Sequence, residues 1–147
     1  MDRKKFIKQC GIACLGATGV SLLMESCAGT KQINASLVNN QLQVSLSSFL
    51  ISRKNNSPEY KRFIVVRNEQ LNYPLVIYRN GDNDYTSLLL RCSHQYNELN
   101  VNGELLSCPA HGSEFDNKGN VVNGPADMKL RSFPVTTDNE HIFIQLS

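Results

Sequence analysis

The sequence lacks features that would each point to a large class of proteins. Its excess of basic residues is only two, because 15 Lys+Arg stand against 13 Asp+Glu and the formal net charge is +2. That balance cannot neutralise a run of phosphates, so we expect no nucleic-acid partner. No run of eighteen apolar residues occurs, which excludes a chain that crosses a bilayer several times. At 147 residues, the chain has the length of one ordinary domain.

The sequence also lacks the cysteine pattern of a disulfide framework. The chain holds five cysteines, an odd number that cannot all pair within one chain. They stand at positions 10, 14, 27, 92 and 108, a spacing that does not resemble a disulfide framework. We therefore expect no disulfide, and the cysteines need another explanation.

The first 26 residues have the order of an export signal. A basic cluster at 3–8 precedes a mildly apolar stretch at 11–24, and the segment ends in Glu25-Ser26-Cys27. The apolar stretch has fourteen residues, three of them glycines, whereas a helix that spans a bilayer needs roughly 20 residues. We expect residues 1–26 to direct export to the periplasmic side of a bacterial membrane.

Two short motifs refine this expectation. Residues 2–8 resemble the twin-arginine export motif, with Lys4 in place of the second arginine. Ser26-Cys27 resembles the end of a lipoprotein signal, in which the cysteine becomes the lipidated first residue. We therefore expect a lipid anchor on Cys27, followed by a tether over 27–36 that is small and polar from residue 30. A cytosolic protein with an ordinary N-terminal helix remains the alternative.

The remaining residues, 37–147, read as one all-β domain. Apolar and polar residues alternate over 41–47, the period of two that is typical of a half-buried strand. Further β-rich runs cover 63–66, 75–78 and 85–90, and turn-forming sequences stand at 57–58, 72–74 and 80–82. No sustained helical period occurs after residue 27.

Two further β elements are predicted in the second half of the chain. The Asn102-Gly103 pair predicts a hairpin with a type I′ turn, because both residues accept the positive φ that this turn needs. Ile142, Ile144 and Leu146 place apolar side chains on one face of a final strand.

Two short segments on either side of this hairpin carry metal-ligating side chains: Cys92-Ser93-His94 and Cys108-Pro109-Ala110-His111. Each supplies one thiolate and one imidazole, and four N/S donors is the number that a metal centre needs. A zinc site usually takes a cysteine pair from one segment and a histidine pair from the other. The mixed order therefore favours a different centre.

This pattern resembles the Rieske family, in which two cysteines hold one iron of a [2Fe–2S] cluster and two histidines hold the other. The family pattern is Cys-x-His and, after an interval, Cys-x-x-His-Gly-x-x-Phe or Tyr. Cys92, His94, Cys108 and His111 match its four ligands. The resemblance implies a β-sandwich of short antiparallel strands with an inserted cluster-binding part at about 91–126. His141 is then expected to be a surface histidine, because four ligands are already supplied.

The resemblance also assigns roles around the cluster. Ser113 matches the serine whose hydroxyl reaches a bridging sulfide, and Gly124, Pro125 and Ala126 match the proline loop that covers the cluster. Phe115 stands where high-potential members have a tyrosine that bonds a cysteine sulfur.

A second difference concerns the disulfide that joins the two loops in respiratory members. Asn97 and Ala110 stand at the positions of its two cysteines, as in the disulfide-free branch of the family. Together with Phe115, this implies a reduction potential between those of the two branches and nearer the low one.

The function that the resemblance implies is one-electron transfer, by a carrier or a small subunit of a membrane-associated oxidoreductase rather than a stand-alone catalyst. The expected partner is a redox protein: a quinol-oxidising, dehydrogenase or catalytic subunit, or a cytochrome. The twin-arginine route carries folded cargo, which suits a cluster assembled in the cytoplasm. Two alternatives remain open: a non-redox zinc-binding structural lipoprotein, and a Rieske ferredoxin that serves an oxygenase.

Overall fold

The computed structural model describes residues 32–54 and 57–146. The expected export signal at 1–26, the expected lipid site Cys27 and the start of the expected tether lie outside the described residues. In the described part of the chain, no helix has the length and apolar character needed to cross a membrane.

The described residues form fifteen short strands and one turn of 3₁₀ helix, which confirms the predicted all-β class. In chain order they are β1 (Gln32–Asn34), β2 (Ser36–Val38), β3 (Gln41–Ser45), the 3₁₀ helix (Leu46–Phe49), β4 (Leu50–Lys54), β5 (Ser57–Tyr60), β6 (Phe63–Arg67), β7 (Leu75–Gly81), β8 (Asp84–Leu89), β9 (Asn100–Asn102), β10 (Leu105–Ser107), β11 (Glu114–Phe115), β12 (Val121–Asn123), β13 (Ser132–Phe133), β14 (Val135–Thr137) and β15 (His141–Gln145).

These strands make three sheets and a separate hairpin. The five-stranded sheet has the order β1-β6-β7-β8-β13, and two four-stranded sheets have the orders β14-β15-β3-β2 and β12-β11-β10-β9. The strands β4 and β5 form the hairpin. All neighbouring strands are antiparallel except β1 and β6, which pair in parallel with Gln32 opposite Val65. The sandwich is therefore antiparallel, as predicted, apart from this one pair at the edge of the five-stranded sheet.

The five-stranded sheet lies between two apolar cores. One core is shared with the β14-β15-β3-β2 sheet, and its members include Leu42, Val44, Ile64, Val66, Leu75, Ile77, Phe133, Ile142 and Ile144. The other is shared with the β9–β12 sheet, and its members include Val65, Val76, Tyr78, Leu88, Leu90, Cys92, Leu106, Cys108, Phe115, Ala126 and Leu130. Burial on both faces explains why β6 and β7 read as continuous apolar runs rather than as alternating ones.

The period-of-two segments are confirmed, but each strand ends earlier than predicted: β15 ends at Gln145, and Leu146 lies just beyond it, packed against the first core. Leu42 and Val44 are buried in β3, but the strand ends at Ser45 rather than continuing to residue 47. The Ser45 hydroxyl accepts a hydrogen bond from the Ser47 backbone N–H at 3.3 Å, which begins the 3₁₀ helix. Leu46 therefore leaves the strand pattern.

The predicted hairpin forms, but its turn lies one residue later than expected. Asn102 pairs with Leu105, so the two turn residues are Gly103 and Glu104. Gly103 has φ +66°, and it is the one residue of 102–104 with a positive φ. A positive φ at the first turn residue alone fits a type II′ turn, so the expected type I′ turn is wrong.

The end of the expected tether belongs to the folded sheets. β1 pairs with β6, and Ile33 packs against the first core. Ala35 is buried, and its N–H donates to the Arg67 carbonyl at 3.1 Å. The segment is mostly small and polar, but its two apolar residues, Ile33 and Ala35, stand at alternate positions, and this is enough for an edge strand.

Candidate metal centre

Three loops meet at one end of the β9–β12 sheet. The first Cys-His loop, residues 91–98, joins β8 to β9, and the second, residues 108–113, joins β10 to β11. The proline loop, residues 124–131, follows β12 and leads to β13. The β9–β10 hairpin therefore separates the two Cys-His loops along the chain and holds them side by side, as its position in the sequence predicts.

The first Cys-His loop is closed by backbone hydrogen bonds. Arg91 and Glu98 form an isolated antiparallel bridge at its base. The Cys92 N–H donates to the Asn97 carbonyl at 2.8 Å, and the Tyr96 N–H donates to the Cys92 carbonyl at 2.9 Å. Both backbone groups of Cys92 are thus held, which fixes the direction of its side chain.

The second Cys-His loop has a similar construction. The Cys108 N–H donates to the Ser113 carbonyl at 2.8 Å, and the Gly112 N–H donates to the Cys108 carbonyl at 3.0 Å. Gly112 has φ +77°, a left-handed conformation that glycine adopts without a steric penalty. The glycine that follows His111 therefore closes the turn.

The four candidate ligands differ in burial. Cys92 and Cys108 are 1% and 4% exposed and belong to the same apolar core as Leu106 and Phe115. His94 and His111 are exposed, and their ring centroids lie 5.1 Å apart with the rings nearly perpendicular. Each loop thus presents a sulfur toward the interior and an imidazole toward the surface, with the two imidazoles side by side.

Side-chain hydrogen bonds tie the proline loop to both Cys-His loops. The Ala126 N–H donates to the buried Ser113 hydroxyl at 3.0 Å, and the Asn123 amide donates to the Gly112 carbonyl at 3.3 Å. The Ser93 hydroxyl donates to the Met128 carbonyl at 2.6 Å. Gly124 and Pro125, joined by a cis peptide bond, are exposed between these contacts.

The arrangement of donors fits a two-iron cluster. Among residues 32–54 and 57–146, no three His, Cys, Asp or Glu side chains converge on one metal-ion position. Each iron of a Rieske cluster needs two protein donors, and the two buried thiols and the two neighbouring imidazoles supply one pair for each iron. Ser113 adds to the fit, because its hydroxyl is fully buried and, within the described part, accepts a hydrogen bond but donates none. That O–H is free to donate to a sulfide.

The base of the β9–β12 sheet is anchored by a buried phenol. Tyr78, on β7, donates its hydroxyl hydrogen to the Gly103 carbonyl at 3.0 Å. Burial, and then the negative charges of Glu104 and Asp116, raise the pKa of the Tyr78 phenol far above its usual value. The phenol therefore keeps the hydrogen with which it holds the hairpin against the five-stranded sheet.

The turn between β11 and β12 is organised by one carboxylate. Asp116 accepts hydrogen bonds from the Lys118 N–H at 2.9 Å, the Asn120 N–H at 2.8 Å and the Asn120 amide at 2.9 Å. Partial burial alone would raise the pKa of Asp116, but these hydrogen bonds outweigh it and hold the pKa below its usual value. Gly119, in the same turn, packs against the side chain of Leu130 at the end of the proline loop.

His141 does not belong to these loops. It lies on β15, in the β14-β15-β3-β2 sheet. Its Nδ1 is 3.7 Å from an oxygen of Asp138.

The residues that sequence reasoning missed are Ser93, which ties two loops together, and Tyr96, whose backbone is left-handed with φ +61°. Neither has a sequence signal, because both roles depend on contacts with other segments.

Comparison with known proteins decides the family. The protein-family model of the Rieske [2Fe-2S] domain matches residues 51–134, which is more than half of the chain. This range includes both Cys-His loops and the proline loop. The chain belongs to the Rieske [2Fe–2S] domain family. As a Rieske domain it carries a [2Fe–2S] cluster, the chemistry of which is one-electron transfer. The zinc-binding alternative is therefore set aside.

Curated relatives carry the same domain within longer chains. This Rieske domain is 39% identical over 85 residues to the oxygenase component of dicamba O-demethylase from Stenotrophomonas maltophilia, a match covering 50% of this chain and 25% of that protein. It is 31% identical over 72 residues to the cytochrome b6-f complex iron-sulfur subunit 1 of Synechocystis sp., covering 48% of this chain and 40% of the relative. The chain thus spans well under half the length of each.

Solved structures show the same fold. A chain from the complex of reduced oxygenase and oxidized ferredoxin in carbazole 1,9a-dioxygenase superposes with a TM-score of 0.51 and 21% identity, over 73% of this Rieske chain and 94% of that chain. Naphthalene 1,2-dioxygenase superposes with a TM-score of 0.57 and 15% identity, over 76% of this chain and 27% of that one.

Proposed function

We propose that this Rieske domain is a one-electron carrier, or the small subunit of an oxidoreductase, whose cluster is held by Cys92, His94, Cys108 and His111. The observation that carries the assignment is the pairing of two buried thiols with two exposed imidazoles whose ring centroids are 5.1 Å apart. No other histidine lies among the described residues except His141, which is on a different sheet.

The four proposed ligands have different roles because two are buried and two are exposed. Cys92 and Cys108 provide thiolates from the apolar core, where water cannot compete for the iron and the loop hydrogen bonds hold the sulfurs in place. His94 and His111 provide imidazoles at the surface, where a partner can approach their free edges. When bound, the cluster supplies a one-electron couple between its diferric and mixed-valence states.

The surrounding residues control the environment of the sulfurs. The Ser113 hydroxyl, buried at the end of the second Cys-His loop, would donate a hydrogen bond to sulfur of a bound cluster, and such a contact raises the reduction potential. Phe115 is fully buried and brings no hydroxyl. Gly124 and Pro125 cover the site as part of the proline loop, which Ser93 and Ser113 tie down.

The proposed partner is a redox protein, and the proposed location is the periplasmic side of a bacterial membrane. Relatives named as an oxygenase component and as a cytochrome b6-f iron-sulfur subunit support a partner that is an oxidoreductase or a cytochrome. The sequence at 1–26 supports export, and Ser26-Cys27 supports a lipid anchor on Cys27. Asn97 and Ala110, at the positions of the two disulfide cysteines, support membership of the disulfide-free branch.

The ligand assignment is tested by spectroscopy of protein produced with ample iron and sulfide. We expect the dithionite-reduced protein to give a Rieske electron paramagnetic resonance (EPR) spectrum, and His94→Ala and His111→Ala to abolish it. His141→Ala is the matched control and keeps the spectrum. A spectrum that survives the first two substitutions, or disappears with the third, overturns the assignment.

The anchor is tested separately. Cells that produce the protein with a radioactive fatty acid should label the wild-type chain and leave Cys27→Ser unlabelled. Cys10→Ser and Cys14→Ser are the controls, because both residues precede the proposed processing site. Label on the Cys27→Ser chain contradicts lipidation at this residue.

A further inference from the structure

A cleft lies between the first Cys-His loop and the proline loop. Its volume is about 240 Å³, and its wall includes Cys92 and Ser93 on one side and Met128 and Leu130 on the other. Small-molecule sites usually enclose about 300–1,000 Å³, so this cleft is sized for one or two side chains of another protein. It borders one of the proposed cluster ligands directly.

The cleft carries three positive charges and no negative one. Arg91, Lys129 and Arg131 line it, and none of its lining residues is acidic. Within residues 32–54 and 57–146, none of these three forms an ion pair; Arg91 stacks on the Tyr96 ring at 3.9 Å, and Arg131 stacks on Phe133 at 4.8 Å. The charges are therefore available to carboxylates from outside the chain.

Three arginines elsewhere on the domain are paired. Arg62 binds Glu104 at 2.6 Å, Arg67 binds Glu98 at 2.7 Å, and Arg79 binds Asp82. Residues 27–147 also contain as many acidic as basic residues, eleven of each. The positive charge at the cleft is thus a local feature of this surface and does not reflect a basic chain.

Two exposed apolar side chains complete the cleft. Tyr96 and Met128 line it from opposite loops and are 54% and 59% exposed. Tyr96 is also held at φ +61°, a left-handed conformation that is rare for a bulky residue, by its N–H bond to Cys92 and by the stacked Arg91. Strain kept in a residue that presents its ring to solvent is typical of a binding site.

We infer that this cleft is the docking site for an acidic segment of the redox partner, one that inserts an apolar side chain between Tyr96 and Met128. Its flanking carboxylates pair with Arg91, Lys129 and Arg131. The inference rests on the proposed function, because the partner is the protein that exchanges electrons with the cluster. Docking beside Cys92 places that partner against the loop that also carries His94.

The test uses a stand-in for the partner segment. The probe is a dye-labelled, acetylated hexapeptide with Leu-Phe between two pairs of glutamates, and a peptide with lysines in place of the glutamates is its control. Binding to the cluster-loaded full chain is followed by fluorescence anisotropy. We expect the acidic peptide to bind at least about tenfold more tightly than the basic one at low salt, and to weaken as salt is added.

Two double variants test whether the acidic peptide binds at the cleft. Lys129→Gln with Arg131→Gln should weaken the acidic peptide about fivefold, as expected for the loss of two exposed ion pairs. The control, Lys118→Gln with Arg62→Gln, removes the same charge elsewhere and should leave the affinity unchanged. Equal affinity for both peptides, or equal weakening by both double variants, overturns the inference.

Other occupants give other outcomes. Binding to phosphatidylglycerol vesicles that needs Lys129 and Arg131, without binding of the peptide, assigns the cleft to a membrane surface and overturns the inference. A dimer in sedimentation velocity that the same double variant dissociates assigns it to a second copy, which also overturns it. The EPR spectrum is recorded on each sample. If the wild type shows the Rieske spectrum but does not bind the acidic peptide, only the docking inference is refuted. If the wild type shows no Rieske spectrum, the proposed cluster ligands are refuted.

Discussion

The backbone N–H of Ala126 donates a hydrogen bond to the hydroxyl of Ser113 at 3.0 Å, in a position where both residues are buried. Thirteen residues separate the two along the chain, and the contact joins the proline loop to the second Cys-His loop. The hydroxyl accepts this bond and keeps its own hydrogen for a further acceptor. The Ser113 side chain thus has a structural role, and the proposed hydrogen bond to cluster sulfur gives it an electronic one.

Removing this hydroxyl should change stability and potential together. In Ser113→Ala, the Ala126 N–H is left buried without an acceptor, which costs about 1–3 kcal/mol of unfolding free energy. The reduction potential should fall, because a donor to cluster sulfur is lost. Urea unfolding followed by circular dichroism and an EPR redox titration measure the two effects. Ser132→Ala, at an exposed position on β13, should change neither. An unchanged potential with an intact spectrum contradicts the electronic role.

Adding a hydroxyl at Phe115 should have the opposite electronic effect. Phe115 is fully buried in the core that contains Cys92 and Cys108. A tyrosine there offers a donor to cysteine sulfur, so Phe115→Tyr should raise the potential above that of the wild type, which we expect between those of the two branches and nearer the low one. Protein-film voltammetry measures both values.

The control for a buried hydroxyl is Phe49→Tyr. Phe49 is 1% exposed but belongs to the other core, so this substitution should reduce stability without moving the potential. A wild-type potential at the high end of the range, or no rise in Phe115→Tyr, contradicts the interpretation of Phe115.

Two glycines with positive φ should respond differently to alanine. Gly119 has φ +82°, and a Cβ there would lie 3.1 Å from Leu88 Cδ2 and 3.2 Å from Leu130 Cβ. Gly103 has φ +66° and no atom within 4 Å of such a Cβ. Gly103→Ala should cost only the strain of the positive φ, about 1–3 kcal/mol. Gly119→Ala adds overpacking of about 1–3 kcal/mol, and equal thermal unfolding shifts for the two variants would contradict this contrast.

The Asp116 turn should make stability depend on pH. The folded-state pKa of Asp116 lies below its unfolded value of 3.8, so the carboxylate stabilises the fold above that pH. The contribution is lost as pH falls through the folded-state pKa. Urea midpoints of the wild type and Asp116→Ala should therefore differ most near neutral pH and converge in acid. Asn120→Ala, which removes one of three donors, should give a smaller difference, and a gap that widens in acid would contradict the sign.

Local sequence patterns predicted those parts of the fold that depend on neighbouring residues. The alternation of Leu42 with Val44 and of Ile142 with Ile144 predicted half-buried strands, since side chains on a strand point alternately to opposite faces. The turns were less predictable: Asn102-Gly103 indicated a hairpin, but the register of β9 against β10 moved the turn to Gly103 and Glu104. The parallel pairing of β1 with β6 links segments about thirty residues apart and left no local pattern.

By itself, the sequence determined the family and its cofactor, because the spacing of Cys92, His94, Cys108 and His111 is a local property of two short segments. The tertiary structure alone decided which side chains are buried and which are exposed to solvent. It placed the thiols inside and the imidazoles outside, tied the proline loop through Ser113, and gathered Arg91, Lys129 and Arg131 at one cleft. These relationships join residues far apart along the chain, and only the packing of the sheets brings them together.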